Sequence, residues 1–258
     1  MTFPPSADNK QGFSDHFSQH AAIYAQFRPS YPPALFEYLA SLCANRSLAW
    51  DCATGSGQSA IGLTPYFKRI IATDASRQQL AHATPHQNID YRLASAEQSE
   101  LASNSVDFIS VFQAAHWFNL TQFYAECVRV AKPGCVIVLC CYQLMQVDSA
   151  IDQLIDKLYH QVLADSWPAE RCLVDSGYQT IDFPFTELEP PAIQMQIHWT
   201  LDQLLGYIQS WSAWQKYLGS PNRPSEEWLS EEFLRVWGNT KALKTVTWPL
   251  QMRVGIIR

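Results

Sequence analysis

The stretch Leu48 to Ala60, LAWDCATGSGQSA, joins an apolar run ending in an acid to a tight turn with two glycines, and Ile70-Ile71-Ala72-Thr73-Asp74 then repeats the apolar run and the closing acid. In an open α/β sheet such turns fall at the carboxyl ends of neighbouring strands. There Gly55 and Gly57 let the backbone approach a nucleotide, and Asp74 is placed to accept both ribose hydroxyls. The pattern therefore predicts a doubly wound α/β sheet that binds a nucleoside. The turn alone does not choose the nucleoside, because Gly55-Ser56-Gly57-Gln58-Ser59-Ala60 also satisfies the dinucleotide pattern with alanine last.

The segments beyond the turn are more specific. Ser105 to Phe112, SVDFISVF, is a further apolar strand, preceded by the small and acidic turn Ser95-Ala96-Glu97. After it come Gln113-Ala114-Ala115-His116-Trp117-Phe118, a short helix to Arg129-Val130-Ala131-Lys132-Pro133-Gly134, and the strand Cys135 to Tyr142. In that order the segments resemble the class I S-adenosylmethionine-dependent methyltransferases. Arg28-Pro29-Ser30-Tyr31-Pro32, His116-Trp117-Phe118, Trp167-Pro168-Ala169-Glu170-Arg171 and Trp211-Ser212-Ala213 look like the subgroup typified by trans-aconitate methyltransferase. The resemblance runs from about Phe13 to the end of the chain. Ala53 stands where that family usually has its first glycine, and a methyl there suits the turn only at negative φ.

The resemblance implies a Rossmann-like doubly wound sheet of seven strands, with S-adenosylmethionine as cofactor. Residues 1–47 become a helical lead-in over the cofactor, 48–145 the core, 146–244 a mostly helical, aromatic-rich lid inserted after the fifth strand, and 245–258 the closing strand. Periodicity agrees. It predicts helices over Phe13–Gln26, Ala34–Ala44, Gln58–Phe67, Arg77–Ala83 and Asp148–Ala164, with Asp148-Ser149 as a cap, and another from Ser225 to about Trp237. Strands are predicted at Leu48–Cys52, Arg69–Thr73, Ile89–Leu93 and Thr245–Ile257, with an alternating piece at Ala192–Thr200.

Composition excludes several classes. With 258 residues, 47% of them hydrophobic and 16% charged, the chain has enough apolar mass for one large core. A net charge of -6 without any run of Lys or Arg argues against nucleic acid. An anionic substrate must then be caught locally by one or two arginines. The seven cysteines show no CxxC or mixed Cys/His ligand spacing, which points to reduced thiols in a cytoplasmic protein without a metal site. The polar beginning MTFPPSADNKQGFSDHF reads as neither a signal peptide nor a membrane anchor. A monomer is the default expectation.

Methyl transfer from a sulfonium is an in-line displacement, so the protein chiefly aligns the partners and excludes water. The resemblance gives Asp51 the task of organising the glycine turn and the methionine amino group. Asp74, followed by Ala75, faces the ribose, and the Ala96-Glu97 turn reads the adenine edge through its backbone amides. Ala53, Ser56 and Gln113 complete the cofactor's surroundings. Tyr24 and Arg28, in the lead-in, fall near the methionine carboxylate or the substrate's own. Trp117 is placed as an aromatic wall beside the sulfonium, and Arg171 as the residue that holds a substrate carboxylate, with an exposed helix arginine as the plain alternative. Trp167 and Trp211 line the acceptor. His116 is either a proton acceptor or a structural histidine.

The favoured reading is a small-molecule methyltransferase that esterifies a carboxylic acid, since a carboxylate is already an anion at neutral pH and needs no base. An NAD-dependent oxidoreductase and a SAM-binding module without turnover are the alternatives.

Overall fold

The computed structural model describes residues 29–219 and 226–258. Tyr24, Arg28 and the helix expected over Phe13–Gln26 lie outside the described residues. The apolar runs form β1 (Leu48–Cys52), β2 (Arg69–Asp74), β3 (Ile89–Leu93), β4 (Val106–Phe112) and β5 (Ala131–Tyr142), all parallel. Every residue of β4 is buried, as a strand covered by helices on both faces must be. Three later strands follow: β6 (Thr186–Leu188), β7 (Gln194–Trp199) and β8 (Lys244–Ile257). The order across the sheet is β3-β2-β1-β4-β5-β8-β6, with β7 also pairing to β8, so eight strands take part where seven were expected.

The helices are α1 (Pro33–Ser41), α2 (Gln58–Leu63), α3 (Arg77–Ala81), α4 (Leu120–Val130), α5 (Ser149–Lys157), α6 (Arg171–Asp175), α7 (Leu201–Gln209), α8 (Ser212–Leu218) and α9 (Glu226–Trp237). Their starts are chemically marked. Ser76 caps α3, Asn119 caps α4, and Asp148 accepts from the Ala150 and Ile151 amides at the head of α5. Two predicted helices differ most in extent, while those expected over Ala34–Ala44 and Arg77–Ala83 end two or three residues early. The first after the glycine turn stops at Leu63, where the Thr64 hydroxyl bonds back to the Ile61 carbonyl. The helix expected over Asp148–Ala164 changes at Leu158 into a π-helical turn, Leu158–Val162.

Alternation along the strands sends side chains to two layers. Ala49, Ile70, Phe108 and Val138 pack on one face with Leu35, Leu63 and Phe67. Trp50, Ile71, Ile109 and Leu139 pack on the other with Phe123, Cys127 and Tyr178. The first layer continues without a break into Trp199, Tyr207, Trp211, Trp214, Phe233 and Trp248 of the later half. The lead-in helix α1 is pinned to α2 at one point, because a Cβ at Gly62 would collide with the Phe36 ring. Tyr31, just before α1, sits 4.7 Å from the Phe112 ring and 6.3 Å from that of Tyr142, at the ends of β4 and β5.

Strand β8 links the two halves. Its residues Leu250–Ile257 pair antiparallel with Tyr142–Cys135 of β5, and its residues Lys244–Pro249 pair with β7.

Candidate active site

The chain runs from β1 outward to β3 and then returns to β4 on the other side of β1, so a crevice opens at the carboxyl ends of β1 and β4. Asp51 lies beneath it, with no solvent exposure. Its carboxylate accepts from Thr54 Oγ1 at 2.5 Å, Ser59 Oγ at 2.7 Å and Ser110 Oγ at 2.7 Å. Burial raises its pKa, and the three hydroxyls oppose that rise. Asp51 thus ties β1, the turn, α2 and β4 together through hydroxyls.

The turn itself corrects one expectation. Ala53 adopts φ +55°, the left-handed region, although a methyl was expected to require negative φ. The conformation costs about 1–2 kcal/mol for an alanine. It is held because the Thr54 amide bonds to the Thr73 carbonyl at 2.9 Å and the Gly55 amide to Asp74 Oδ2 at 2.8 Å, docking the turn onto the end of β2. Gly57, at φ +85°, has no room for a side chain, because a Cβ there would strike the Tyr91 phenol. That phenol donates to the Thr84 carbonyl, and the Thr84 amide in turn reaches the Ser56 carbonyl.

Asp74 is 9% exposed, and its Oδ1 accepts from the Ser76 amide at 2.8 Å. Ala75 beside it is exposed. Among the described residues a Cβ on Gly55 would meet only Gln79 Oε1, at 3.8 Å, and that buried amide oxygen has no hydrogen-bond partner. Open space over the glycine turn, a carboxylate at the end of β2 and an unsatisfied acceptor between them fit a nucleoside with hydroxyl donors. Across the crevice Ala96 is buried, and Glu97 accepts from the Asn119 amide at 3.1 Å, so this side chain fastens the Ser95–Gln98 turn to the start of α4.

Past the end of β4 the structure gathers Gln113, His116, Trp117, Trp167, Arg171 and Trp211 around one cavity, although they come from three distant segments. Gln143 and Tyr207 line it too, and sequence reasoning gave no signal for Gln143. Gln113, at φ +55°, is fully engaged: its amide accepts from the Tyr142 backbone N–H at 2.9 Å and donates to the Tyr142 carbonyl at 3.3 Å. Gln113 therefore shapes the cavity wall with its amide already committed to β5.

Arg171 is not an exposed helix arginine. Its side chain keeps 20% of its surface open, and its guanidinium lies 4.9 Å from the Trp167 ring centroid and 5.4 Å from that of Tyr159. Only Nε is spent. It donates to Tyr159 Oη at 2.6 Å and reaches Asp175 Oδ1 at 3.3 Å, while Tyr159 Oη donates to the same Asp175 oxygen at 2.6 Å. Among the described residues the two terminal nitrogens form no hydrogen bond, which leaves the planar fork for a ligand.

His116 stands on a single 3-10 turn, Ala115–Trp117, directly after β4 and 8% exposed. Its ring centroid is 4.7 Å from that of Trp117, and its Nδ1 is 2.9 Å from Tyr178 Oη. Burial, followed by the charge of Arg171, holds its pKa down at about 3, so the ring is neutral near pH 7.

Among the described residues no group of three or more His, Cys, Asp or Glu stands together as a metal site, and no helix is long and apolar enough to cross a membrane. Six cysteines are buried, and Cys172 is exposed.

A doubly wound sheet in this strand order, with a glycine turn held between Asp51 and Asp74, is the architecture of a class I S-adenosylmethionine-dependent methyltransferase. Residues 50–139 match the family model described as a methyltransferase domain. The chain is 32% identical over 259 residues to a Dictyostelium discoideum protein named as a methyltransferase, with 98% of each chain covered. It resembles a solved structure described as a type II methyltransferase from Anaeromyxobacter dehalogenans at a TM-score of 0.84 and 40% identity, over 90% of this chain and 98% of that one. It is also 31% identical over 121 residues to a Saccharomyces cerevisiae protein named as an S-adenosylmethionine-dependent methyltransferase, covering 43% of this chain and 42% of that one. The chain belongs to the methyltransferase family. It is an enzyme with S-adenosylmethionine as its cofactor, which sets aside the oxidoreductase and the module without turnover.

Proposed function

We propose that this enzyme methylates the carboxylate of a small organic acid to a methyl ester, and that it stands with the trans-aconitate methyltransferase-like subgroup. The observation that carries this reading is the unspent fork of Arg171, set among aromatic rings in the cavity past the end of β4. Among the described residues, the lining of that cavity offers no strong base, which supports it. His116 is a weak proton acceptor with a pKa of about 3, whereas a carboxylate with a pKa near 4 reaches the site already ionised.

When bound, S-adenosylmethionine supplies an electrophilic methyl group on a sulfonium. Asp74, the Ala53–Gly57 turn and the backbone of the Ala96-Glu97 turn hold the nucleoside. Asp51 acts from below by fixing the turn, and Tyr24 and Arg28, outside the described residues, would attend the methionine carboxylate or the substrate's own. Trp117 offers an aromatic face to the positive centre, and Trp167 and Trp211 shed water from the acceptor's body. Arg171 orients the acid, supplying the local positive charge that a chain of net charge -6 otherwise lacks. The enzyme acts as a cytoplasmic monomer on a small molecule rather than on nucleic acid or membrane.

The test is radiolabelled methyl transfer into organic-soluble product from tricarboxylic, fatty and isoprenoid acids. A label that mild base releases as methanol is expected. Transfer only into base-stable amine, phenol ether or carbon-methyl products overturns the carboxylate reading.

A further inference from the structure

Tyr178 is a residue whose role neither the glycine turn nor the substrate fork explains. It follows Gly177 after α6, both residues take φ +62°, and its ring is entirely buried in the second core layer. A phenol sealed from water must place its hydrogen on an acceptor, since a buried unsatisfied donor costs about 1–3 kcal/mol. The acceptor within reach is His116 Nδ1 at 2.9 Å. Cys141 lies close as well, but its thiol is turned to the Val174 carbonyl. Among the described residues that ring nitrogen is the hydrogen-bond partner the phenol oxygen has, so the phenol's hydrogen goes to it.

That hydrogen fixes the tautomer. A neutral imidazole has one protonated nitrogen, and if Nδ1 accepts from Tyr178 the proton resides on Nε2. His116 lines the cavity that Arg171 also lines. Its other nitrogen is therefore a hydrogen-bond donor, and the electrostatic reach of Arg171 onto the same ring keeps both groups within one field.

We propose that Tyr178 is a positioning residue that locks His116 in its Nε2–H form, and that His116 Nε2–H and the fork of Arg171 together form a two-sided donor site for one carboxylate of the acceptor. The identity of the ligand rests on the carboxylate reading above. The tautomer does not, because it belongs to the protein without any acceptor.

The experiment is a proton–nitrogen correlation spectrum of histidine-labelled full-length protein, followed by titration with acetate, benzoate and citrate. In the wild type His116 is expected to show a bare Nδ1 and a protonated Nε2 from pH 6 to 8, and the Nε2–H signal is expected to move with at least one of the three anions. Tyr178→Phe, which keeps the buried ring, is expected to lose the fixed pattern and to bind that anion about fivefold or more weakly. A proton on Nδ1 in the wild type overturns the positioning role. A correct tautomer whose Nε2–H ignores all three anions overturns the donor site. An enzyme that shows the tautomer and the anion response yet methylates only amines or carbons refutes the esterification reading and leaves this assignment in place.

Discussion

Phe36 of α1 fills the volume that any side chain at Gly62 of α2 would need, so the lead-in and the nucleoside-binding core meet ring to backbone. Alanine in place of a helical glycine ordinarily gains about 1 kcal/mol from propensity. Here the Phe36 ring is buried and cannot withdraw, and overpacking costs about 1–3 kcal/mol. Gly62→Ala is therefore expected to lower the melting temperature, and Phe36→Leu in the same chain is expected to recover part of the loss. A stabilised single variant would show that α1 does not dock as described.

Asp74 holds the Gly55 and Ser76 amides at the end of β2, where the nucleoside's ribose is expected. Asp74→Ala is expected to weaken S-adenosylhomocysteine binding by about 2 kcal/mol, the order of two hydrogen bonds to one carboxylate. Calorimetric titration decides, and unchanged affinity would move the ribose elsewhere.

Arg171→Lys keeps a positive charge and removes the second terminal nitrogen and the flat face that lies on Trp167. The acceptor's KM is expected to rise about tenfold, with cofactor affinity unaltered. Steady-state kinetics with the acid found in the labelling screen would measure it. An unchanged KM would show that the fork does not grip the substrate.

Ala53→Gly removes about 1–2 kcal/mol of left-handed strain and gives back about 0.4–1 kcal/mol through a looser unfolded chain. The expected balance is a gain of up to about 1.6 kcal/mol in urea unfolding. A clear loss would mean that the alanine methyl contributes packing which outweighs the strain.

Acid should destabilise the fold in two stages. His116, at about 3 when folded against an ordinary 6.5, refuses a proton that the unfolded chain accepts, so its contribution is whole above pH 6.5 and is lost as the pH falls toward 3. Glu126 is held at about 2 by Arg129, and with further bonds from Ser99, against an ordinary 4.5, so its share is lost between about pH 4.5 and 2. Melting temperature against pH should show both stages, with His116→Leu flattening the first and Glu126→Gln the second. An unaltered slope between pH 6 and 5 in His116→Leu would contradict the neutral buried ring.

The parallel strands were legible because a strand covered on both faces is mostly apolar, as Val106–Phe112 is apart from Asp107 and Ser110, and the acids that end β1 and β2 mark where the ligand crevice opens. The three-residue β6 carries no such pattern. The break at Leu158 leaves the amphipathic stripe of α5 intact, so periodicity cannot register it. At the site, Trp117, Trp167, Arg171 and Trp211 stood out by type within recognisable segments. Tyr178, Gln79 and Gln143 did not, because their significance lies in what tertiary folding sets opposite them: an imidazole nitrogen, an open crevice and a cavity wall. Ala53 shows a different limit, since two long-range hydrogen bonds override a local preference that the residue type states correctly.

Strand β8 has a consequence for engineering the chain. Its first half, where Val246 and Trp248 are fully buried, pairs with the later region, and its second half closes the core sheet. Deleting residues 146–243 to isolate a minimal cofactor-binding unit would strip β6 from Val254–Ile256 and leave Lys244–Pro249 unpaired, baring Val246 and Trp248 along one long edge. Such an exposed edge recruits other chains. The shortened protein is expected to aggregate rather than to persist as a smaller enzyme, so the aromatic half would guard the core sheet's edge.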